Sequence, residues 1–533
     1  MITSANEIPN EATLNAKVCV VGSGAAGICL ALELAKQGID VCLLEGGGMT
    51  AEDASQDLHG GVNVGLGQFE IRSTRLRQWG GTTNHWGGMS PRLSAIDFQE
   101  RAYLPHSGWP ITLADLEPFY QPAERYCDIS PIWRSYESGT CPAQTAMGFG
   151  KGPLGVQLTP WSPPTRFGQK YKSDIDRLGN LRTLTHANVV EIITDEGATT
   201  VTRVRARTLG GKQFFVNARA VVLTTGGLEA PKLLLASHRQ QPKGLGNQND
   251  LVGRYYMDHI GFWSGAALFS RKYAGFNTLT DYVTQNDERA HFLLTPRSKT
   301  MLQEAMVNFR YLFYQTPVSY EGVRASVEFV NEISNLQLPG EIGARIGDIL
   351  VDIDQLVGKT ISSKLPGVDI ARSDTKTLSG RVLPQAIAHL SMEQIPNPQS
   401  RVTLSDKKDA LGERILKLDW QITHQDRNNI LTAANMLGQS LGSNGFGRSY
   451  IPKHLRALNV DQEIEIACHH MGTTRMSNDP KTGVVDSNLQ VHGVKNLYIA
   501  SCSVFPTSGW ANPTLTIVAL SVRLADHLKK MLR

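Results

Sequence analysis

Cysteine is scarce: the chain has seven in 533 residues, an odd number, with no Cys-x-x-Cys-His and no paired Cys-x-x-Cys. Those gaps exclude an in-chain c-type haem and argue against a cysteine-rich zinc site, so no metal is expected. Cys19, Cys29 and Cys42 fall at apolar positions where a thiol behaves as a small hydrophobe, which fits a reducing compartment. No long basic run accompanies the formal net charge of +4, so nucleic acid would find little to attract it. No stretch is long and apolar enough to span a bilayer. Residues 1–16 carry Glu7 and Glu11 without a basic start or apolar core, unlike a secretory signal. Cytoplasmic residence is therefore the expectation, with periplasmic co-export beside a signal-bearing partner as the alternative. Internal repeats and low-complexity tracts are also missing.

The chain does have length and glycine. At 533 residues it exceeds the size at which single cores stop growing, so two or more domains are expected. Glycine supplies 50 positions, concentrated around the motifs below, and close approach of backbone to a ligand is one reason for such a bias. Residues 17–21 read as a short buried strand, 28–37 have helical spacing, and 41–45 read as a second strand. An irregular region over 46–88 follows, and a helix is expected over 113–127. So long a connection inside a compact enzyme should wrap a cofactor or substrate. Residues 181–193, 201–208 and 214–216 read as a meander, followed by a strand over 220–224 and a helix over 228–237. From 261 to about 420 the pattern turns β-prone, with strands expected at 306–313, 324–330, 386–392 and 401–404. Residues 340–358 carry apolar residues at helical spacing and read as a helix packed on its own domain.

Between the first two strands lies Gly22-Ser23-Gly24-Ala25-Ala26-Gly27. Gly22 permits a tight turn, Gly24 lets the backbone approach a pyrophosphate, and Gly27 lets helix and sheet pack closely, with the phosphate meeting the helix N-terminus. Glu45 ends the next strand, placed to accept hydrogen bonds from an adenosine ribose and to disfavour a 2′-phosphate. NAD and FAD share this unit. The later strand-and-glycine element ending in Thr225-Gly226-Gly227 and a strand at 495–500 followed by a turn and helix favour FAD. In that final segment Asn512 reads as an N-cap, Pro513 as the first helical residue and Thr514 as the start of a helix to 528. Its N-terminus would favour the negative charge of a reduced flavin.

Near the C-terminus His469 and Asn512 sit in glycine-bearing, strand-then-turn contexts and suggest a base and a clamp for an alcohol. Taken alone, His469 and His470 read more readily as adjacent strand histidines without catalytic duty, one in the core and one exposed. Arg475 reads as pairing with an internal acid, and Trp86 and Trp510 as either stacking or core residues.

These residues together resemble the glucose-methanol-choline (GMC) oxidoreductases over nearly the full length. The carriers are the N-terminal βαβ unit, the run from Trp79 to Gly88, Thr225 to Pro231, Val252-Gly253-Arg254 with Asp258-His259, and the C-terminal block. The motifs are most similar to the pyranose 2-oxidase and sugar dehydrogenase branch. The resemblance implies His469 as base and Asn512 as its partner, with contacts to FAD from Gly80, Gly81, Thr82, Asn84, His85, Val189 and Ser501. Two positions depart from the family pattern: Asn84 opens what is Thr-His-Trp in the family, and Ser501 stands where Asp is common. Non-covalent contact of His85 with the flavin is the expectation, and a covalent bond is the alternative.

The fold class expected is α/β: a Rossmann-like FAD-binding domain from residues 1–60, 176–260 and 459–533, wrapping and cap elements over 61–175, and a mainly antiparallel substrate domain over 261–458. The expected reaction oxidises an alcohol or sugar hydroxyl to a carbonyl, by proton abstraction at His469 and hydride transfer to flavin N5. A lyase retaining FAD as a structural element, or the catalytic subunit of a membrane electron-transfer complex, are the alternatives. Expected partners are a small alcohol or sugar and an acceptor such as oxygen, quinone or cytochrome, with an accessory subunit or a second copy of the chain also open.

Overall fold

A computed structural model describes residues 1–67, 69–131, 147–270, 272–285, 288–315 and 384–532. The first strand of the βαβ unit, Thr13–Val21, alternates partly buried and exposed residues at its start and becomes fully buried at Val18, so it begins earlier than its apolar run suggests. Helix Ala25–Lys36 and strand Val41–Leu44 complete the βαβ unit. Parallel pairing joins Thr13–Val21 to Val41–Leu44 on one side and to Gln213–Leu223 on the other. Strand Leu181–Thr185 extends the sheet beyond Val41–Leu44, also in parallel. Every strand residue from Val41 to Leu44 is buried, as expected where helices cover both faces of a parallel sheet.

Three local expectations are corrected here. Leu181–Thr185 does not belong to the meander: His186 takes a left-handed φ of 58°, and the chain turns before strand Asn188–Thr194. The meander itself is Asn188–Thr194, Val201–Arg207 and Gln213–Leu223, antiparallel throughout. Residues 214–216 and 220–224 are two parts of one strand, Gln213–Leu223, which is antiparallel to the meander along its first half and also pairs in parallel with the Rossmann strands. The C-terminal strand is the shorter Leu497–Ile499, parallel to that same strand.

A second sheet is ordered 283–285, 288–296, 309–315, 385–392, 260–269 and 447–449, with Glu465–Ile466 added to 260–269 and Leu154–Trp161 to 288–296. All its pairings are antiparallel. The strand expected at 306–313 is Phe309–Gln315, and the one at 386–392 is Gln385–Met392. The strand expected at 324–330 and the helix at 340–358 lie outside the described residues.

Alternation gives this sheet two different faces. Phe262, Phe292, Tyr311 and Leu390 bury one face in a core shared with helix His424–Ser443, through Ile430, Ala433 and Leu437; such side chains contribute roughly 1.5–3 kcal/mol each. The opposite face places Leu293 and Leu312 against Met89 and Trp510, which brings it to the segment carrying Asn512. The last helix, Thr514–Leu532, packs in the other core, with Thr516 Oγ1 3.0 Å from the Tyr120 hydroxyl. No helix among the described residues is long and apolar enough to cross a membrane.

Candidate active site

Backbone geometry makes the glycine loop. Gly22 takes φ of 104°, and a Cβ there would stand 2.9 Å from the Thr224 carbonyl oxygen. A Cβ on Gly27 would fall 1.8 Å from the Gly22 carbonyl oxygen, so no side chain fits where helix crosses loop. Gly24 differs: nothing lies within 4 Å of its Cβ position. That open side faces a cleft of about 580 Å³ lined by Gly22, Ser23, Gly24, Ala25 and Ala26. Helix Ala25–Lys36 has no side-chain cap, so its first amides point at the cleft unsatisfied, as an anion site requires.

Glu45 also lines the cleft, 6% exposed. Its carboxylate accepts from Ser23 N at 3.1 Å, Ser23 Oγ at 2.6 Å and Gly47 N at 2.8 Å, which fixes the loop and the acid together. The same cleft is bordered by Gly81, Thr82, His85, Val189, Ser501, Pro513 and Thr514. Three expected contacts stand elsewhere. Gly27 is consumed by helix packing, Gly80 lies behind the loop with its N–H 3.3 Å from Ser23 Oγ, and Asn84 donates to the carbonyls of Trp79 and Gly81 at 2.8 and 2.9 Å. None of the three borders the cleft; Asn84 instead stiffens the loop that presents His85.

His469 and Asn512 line the same cleft. Neither His469 nor His470 is in a strand, contrary to expectation: Cys468 takes φ of 58° and starts an irregular segment from which both rings border the cleft. Their bonding separates them. His470 is saturated, with Nδ1 2.8 Å from the Tyr256 hydroxyl and Nε2 2.9 Å from Thr74 Oγ1. His469 Nδ1 lies 2.9 Å from His259 Nδ1, and its Nε2 engages no hydrogen bond among the described residues. Burial, followed by the charges of His259, Arg310 and His470, holds the His469 imidazole well below the usual histidine range, so it is neutral at pH 7.

Asp258 builds the segment from beneath. Its Oδ1 accepts from the backbone N–H groups of His259, His469 and Ala467 at 2.8, 3.0 and 3.3 Å. Burial pushes this carboxyl up to about 7 against those bonds. His259 Nε2 has no partner within hydrogen-bond geometry, yet the carbonyls of Ser508 and Gly509 act on the ring to favour its proton. In the sequence His259 stands out only through its place in the Asp258-His259 motif. Its pairing with His469 spans 210 residues and leaves no trace in local spacing.

Asn512 is not an N-cap: its buried Oδ1 has no hydrogen-bond partner, and helix Thr514–Leu532 is entered through Pro513, whose carbonyl accepts from Ile517 N at 2.9 Å. Asn512 lines the cleft instead. Asn512→Ala should therefore cost much less than the roughly 1 kcal/mol of a lost cap while weakening substrate turnover. Thermal melting beside steady-state kinetics checks this, and a marked loss of stability would restore the cap.

Arg475, expected to pair with an acid, instead donates to the His106 carbonyl at 2.6 Å and covers the Tyr255 ring at 4.4 Å. Trp510 packs in an apolar cluster, and Trp86 borders the cleft while donating to the Thr165 carbonyl at 2.9 Å. Sequence reasoning missed Arg75, Arg77 and Glu229, a buried charge group on the cleft wall, with Arg75 Nη2 2.6 Å from Glu229 Oε1. Described residues contain no cluster able to hold a metal ion.

The cleft fits a dinucleotide flavin: it falls within the usual range of cofactor pockets, begins at an uncapped helix over a glycine that leaves room, and ends at a free imidazole nitrogen beside Asn512. Comparisons with known proteins agree. Residues 17–249 match the family model described as FAD dependent oxidoreductase, and residues 396–521 match that of GMC oxidoreductase. The chain is 24% identical to the fructose dehydrogenase large subunit of Gluconobacter japonicus, over 97% of this chain and 98% of that one. It is 25% identical to 2-methyl-1,2-propanediol dehydrogenase of Mycolicibacterium austroafricanum, over 96% and 95%. The solved structure of pyridoxine 4-oxidase from Mesorbium loti shares the fold, with a TM-score of 0.58 at 17% identity over 96% of this chain and 99% of that chain. With its Rossmann-like cleft and both family models in place, the chain is an FAD-dependent oxidoreductase with a GMC oxidoreductase C-terminal region, similar over nearly its full length to dehydrogenases of alcohols and sugars.

Proposed function

We propose that this protein oxidises an alcohol or sugar hydroxyl to a carbonyl, with His469 as the base and Asn512 as the second anchor of the hydroxyl. The observation that carries the reading is the free Nε2 of His469 in a cleft shared with the unpartnered Oδ1 of Asn512. FAD, when bound, supplies the acceptor for the hydride that leaves the carbinol carbon. Gly24, Ala25 and Ala26 would hold its phosphates, Glu45 the ribose and Val189 the adenine side, leaving His85, Ser501, Pro513 and Thr514 for the flavin side.

The proton path follows from the bonding. One proton lies between the two Nδ1 atoms, which are 2.9 Å apart. With the His259 proton on Nε2, toward the Ser508 and Gly509 carbonyls, His259 Nδ1 accepts and His469 Nδ1 donates. That leaves the His469 Nε2 lone pair facing the cleft, where it can take a hydroxyl proton. Asp258 sets the ring's position through the backbone, and His259 sets its tautomer.

Fructose and 2-methyl-1,2-propanediol, in the names of the relatives, suggest a polyol or sugar as the substrate class, and the large-subunit name suggests testing for an accessory subunit. Anaerobic mixing of the FAD-loaded protein with sugars and polyols tests the reading: bleaching of the flavin absorbance is expected. Product formation without bleaching would favour a lyase. Reoxidation by air, quinone or cytochrome then identifies the acceptor.

The pH dependence follows from the depressed His469. Protonation inactivates the base, and its folded-state pKa lies below the ordinary value of about 6.5, so kcat/KM should hold through pH 6.5 and fall only at lower pH. A pH profile of flavin reduction measures this. An acid limb centred at or above about 6.5 would contradict it.

A further inference from the structure

The geometry points to a substrate that carries an anionic group, a carboxylate or phosphate, seated on Arg310 while its hydroxyl lies at His469. This rests on the reading of His469 as base. Four arginines among the described residues are buried: Arg75, Arg101, Arg310 and Arg475. Arg75 pairs with Glu229 at 2.6 Å, Arg101 holds Glu393 through two bonds of 2.8 and 2.7 Å, and Arg475 has the His106 carbonyl and the Tyr255 ring. Among the described residues Arg310 is the one of these four without a hydrogen-bonded or ion-paired partner for its guanidinium. It is 8% exposed, makes no hydrogen bond or ion pair among the described residues, and its Nε and Nη1 are buried without a partner. Leaving a guanidinium buried and unpaired is costly, and a ligand anion would remove that cost.

Its position ties it to the reacting end. Arg310 stands opposite Ser391 on strand Gln385–Met392, and Ser391 stands opposite Gly261 on strand Ile260–Phe269. Two strand spacings, about 9.6 Å, therefore separate Arg310 from Gly261. His259 is two residues before Gly261 and shares its face, with its Nδ1 2.9 Å from His469 Nδ1. Leu312, on the same face as Arg310, packs with Trp510, two residues from Asn512. The charge of Arg310 is also felt at both His259 and His469, lowering each. Burial lowers its own pKa to about 10, so it remains a cation at pH 7. An acid on this side, Glu465, is already engaged by Trp263 Nε1 at 2.9 Å and lies 3.8 Å from His389 Nε2. The planar fork of Arg310 suits carboxylate or phosphate oxygens, and its charge would repel amino sugars.

The test compares uncharged alcohols with their charged counterparts: glycerol against glycerate and glycerol phosphate, and a hexose against its hexonate. In the FAD-loaded wild type the charged member should reduce the flavin with kcat/KM about 10- to 100-fold higher, and the glycerate and glycerol phosphate arms separate carboxylate from phosphate. Arg310→Met should bring the ratio of charged to uncharged kcat/KM to about one, whereas His469→Ala should slow both members and leave that ratio in place. Acetate and phosphate, titrated at constant ionic strength, should raise the melting temperature of the wild type more than that of Arg310→Met, which gives a readout independent of turnover. Arg310→Gln, keeping polarity without charge, replaces Met if that variant does not fold, and the wild-type comparison decides if neither does. Equal efficiencies for charged and uncharged members, or anion stabilisation that persists without the guanidinium, would overturn the inference.

Discussion

Replacing His469 with alanine should slow flavin reduction by at least about a hundredfold while FAD stays bound. The size follows from what is removed. Positioned bases typically contribute about 10²–10⁴-fold, and the neighbouring histidine cannot substitute, because both His470 ring nitrogens are occupied by Tyr256 and Thr74. Retention of FAD follows from the site's division: Glu45 and the amides of the glycine loop stand on a separate strand and helix, and Glu45 is fixed by Ser23 and Gly47 rather than by His469. Single-turnover reduction, with cofactor content read from absorbance, checks both parts. Reduction at the wild-type rate would remove His469 from the chemistry.

The second large effect is expected at Gly27. Even alanine should abolish FAD binding or folding of the parallel sheet around it, because its Cβ would fall 1.8 Å from the Gly22 carbonyl oxygen and 2.7 Å from Thr224 Oγ1. The first clash is with backbone, in the turn that presents Gly24 to the cleft, so relief means displacing helix Ala25–Lys36 or opening that turn. Gly24→Ala is the control: its Cβ position is open, so the fold should persist while cofactor affinity falls. Protein yield, thermal melting and bound flavin separate the two variants. A Gly27→Ala protein that folds and binds FAD normally would contradict the packing described here.

How far the sequence speaks depends on the distance over which each feature is decided. The βαβ unit was legible because its glycines and buried strands are local signals, and the observed strands differ mainly at their ends. The long strand Gln213–Leu223 reads as two pieces because its centre, Asn217 to Arg219, carries two polar residues and is more exposed than either end. It changes partners there, which no local pattern records. Asn512-Pro513 reads as a helix start in any local view, and only the fold shows the amide oxygen buried without a partner at a residue that lines the cleft. The His259 pairing depends on chain segments 210 residues apart. Arg310 does carry a sequence signal, a lone charge among Phe309, Tyr311, Leu312 and Phe313, but its lack of a counter-ion among the described residues is a property of the assembled sheet.

The central claim is that an alcohol hydroxyl sits on His469 against bound FAD. A crystal structure of the FAD-loaded protein, soaked anaerobically with a slow alcohol, tests it most directly. The account predicts the hydroxyl within about 3.2 Å of His469 Nε2, with Asn512 on its other side. A hydroxyl held by His470 instead, or a flavin ring lying away from residues 469 and 512, would contradict it.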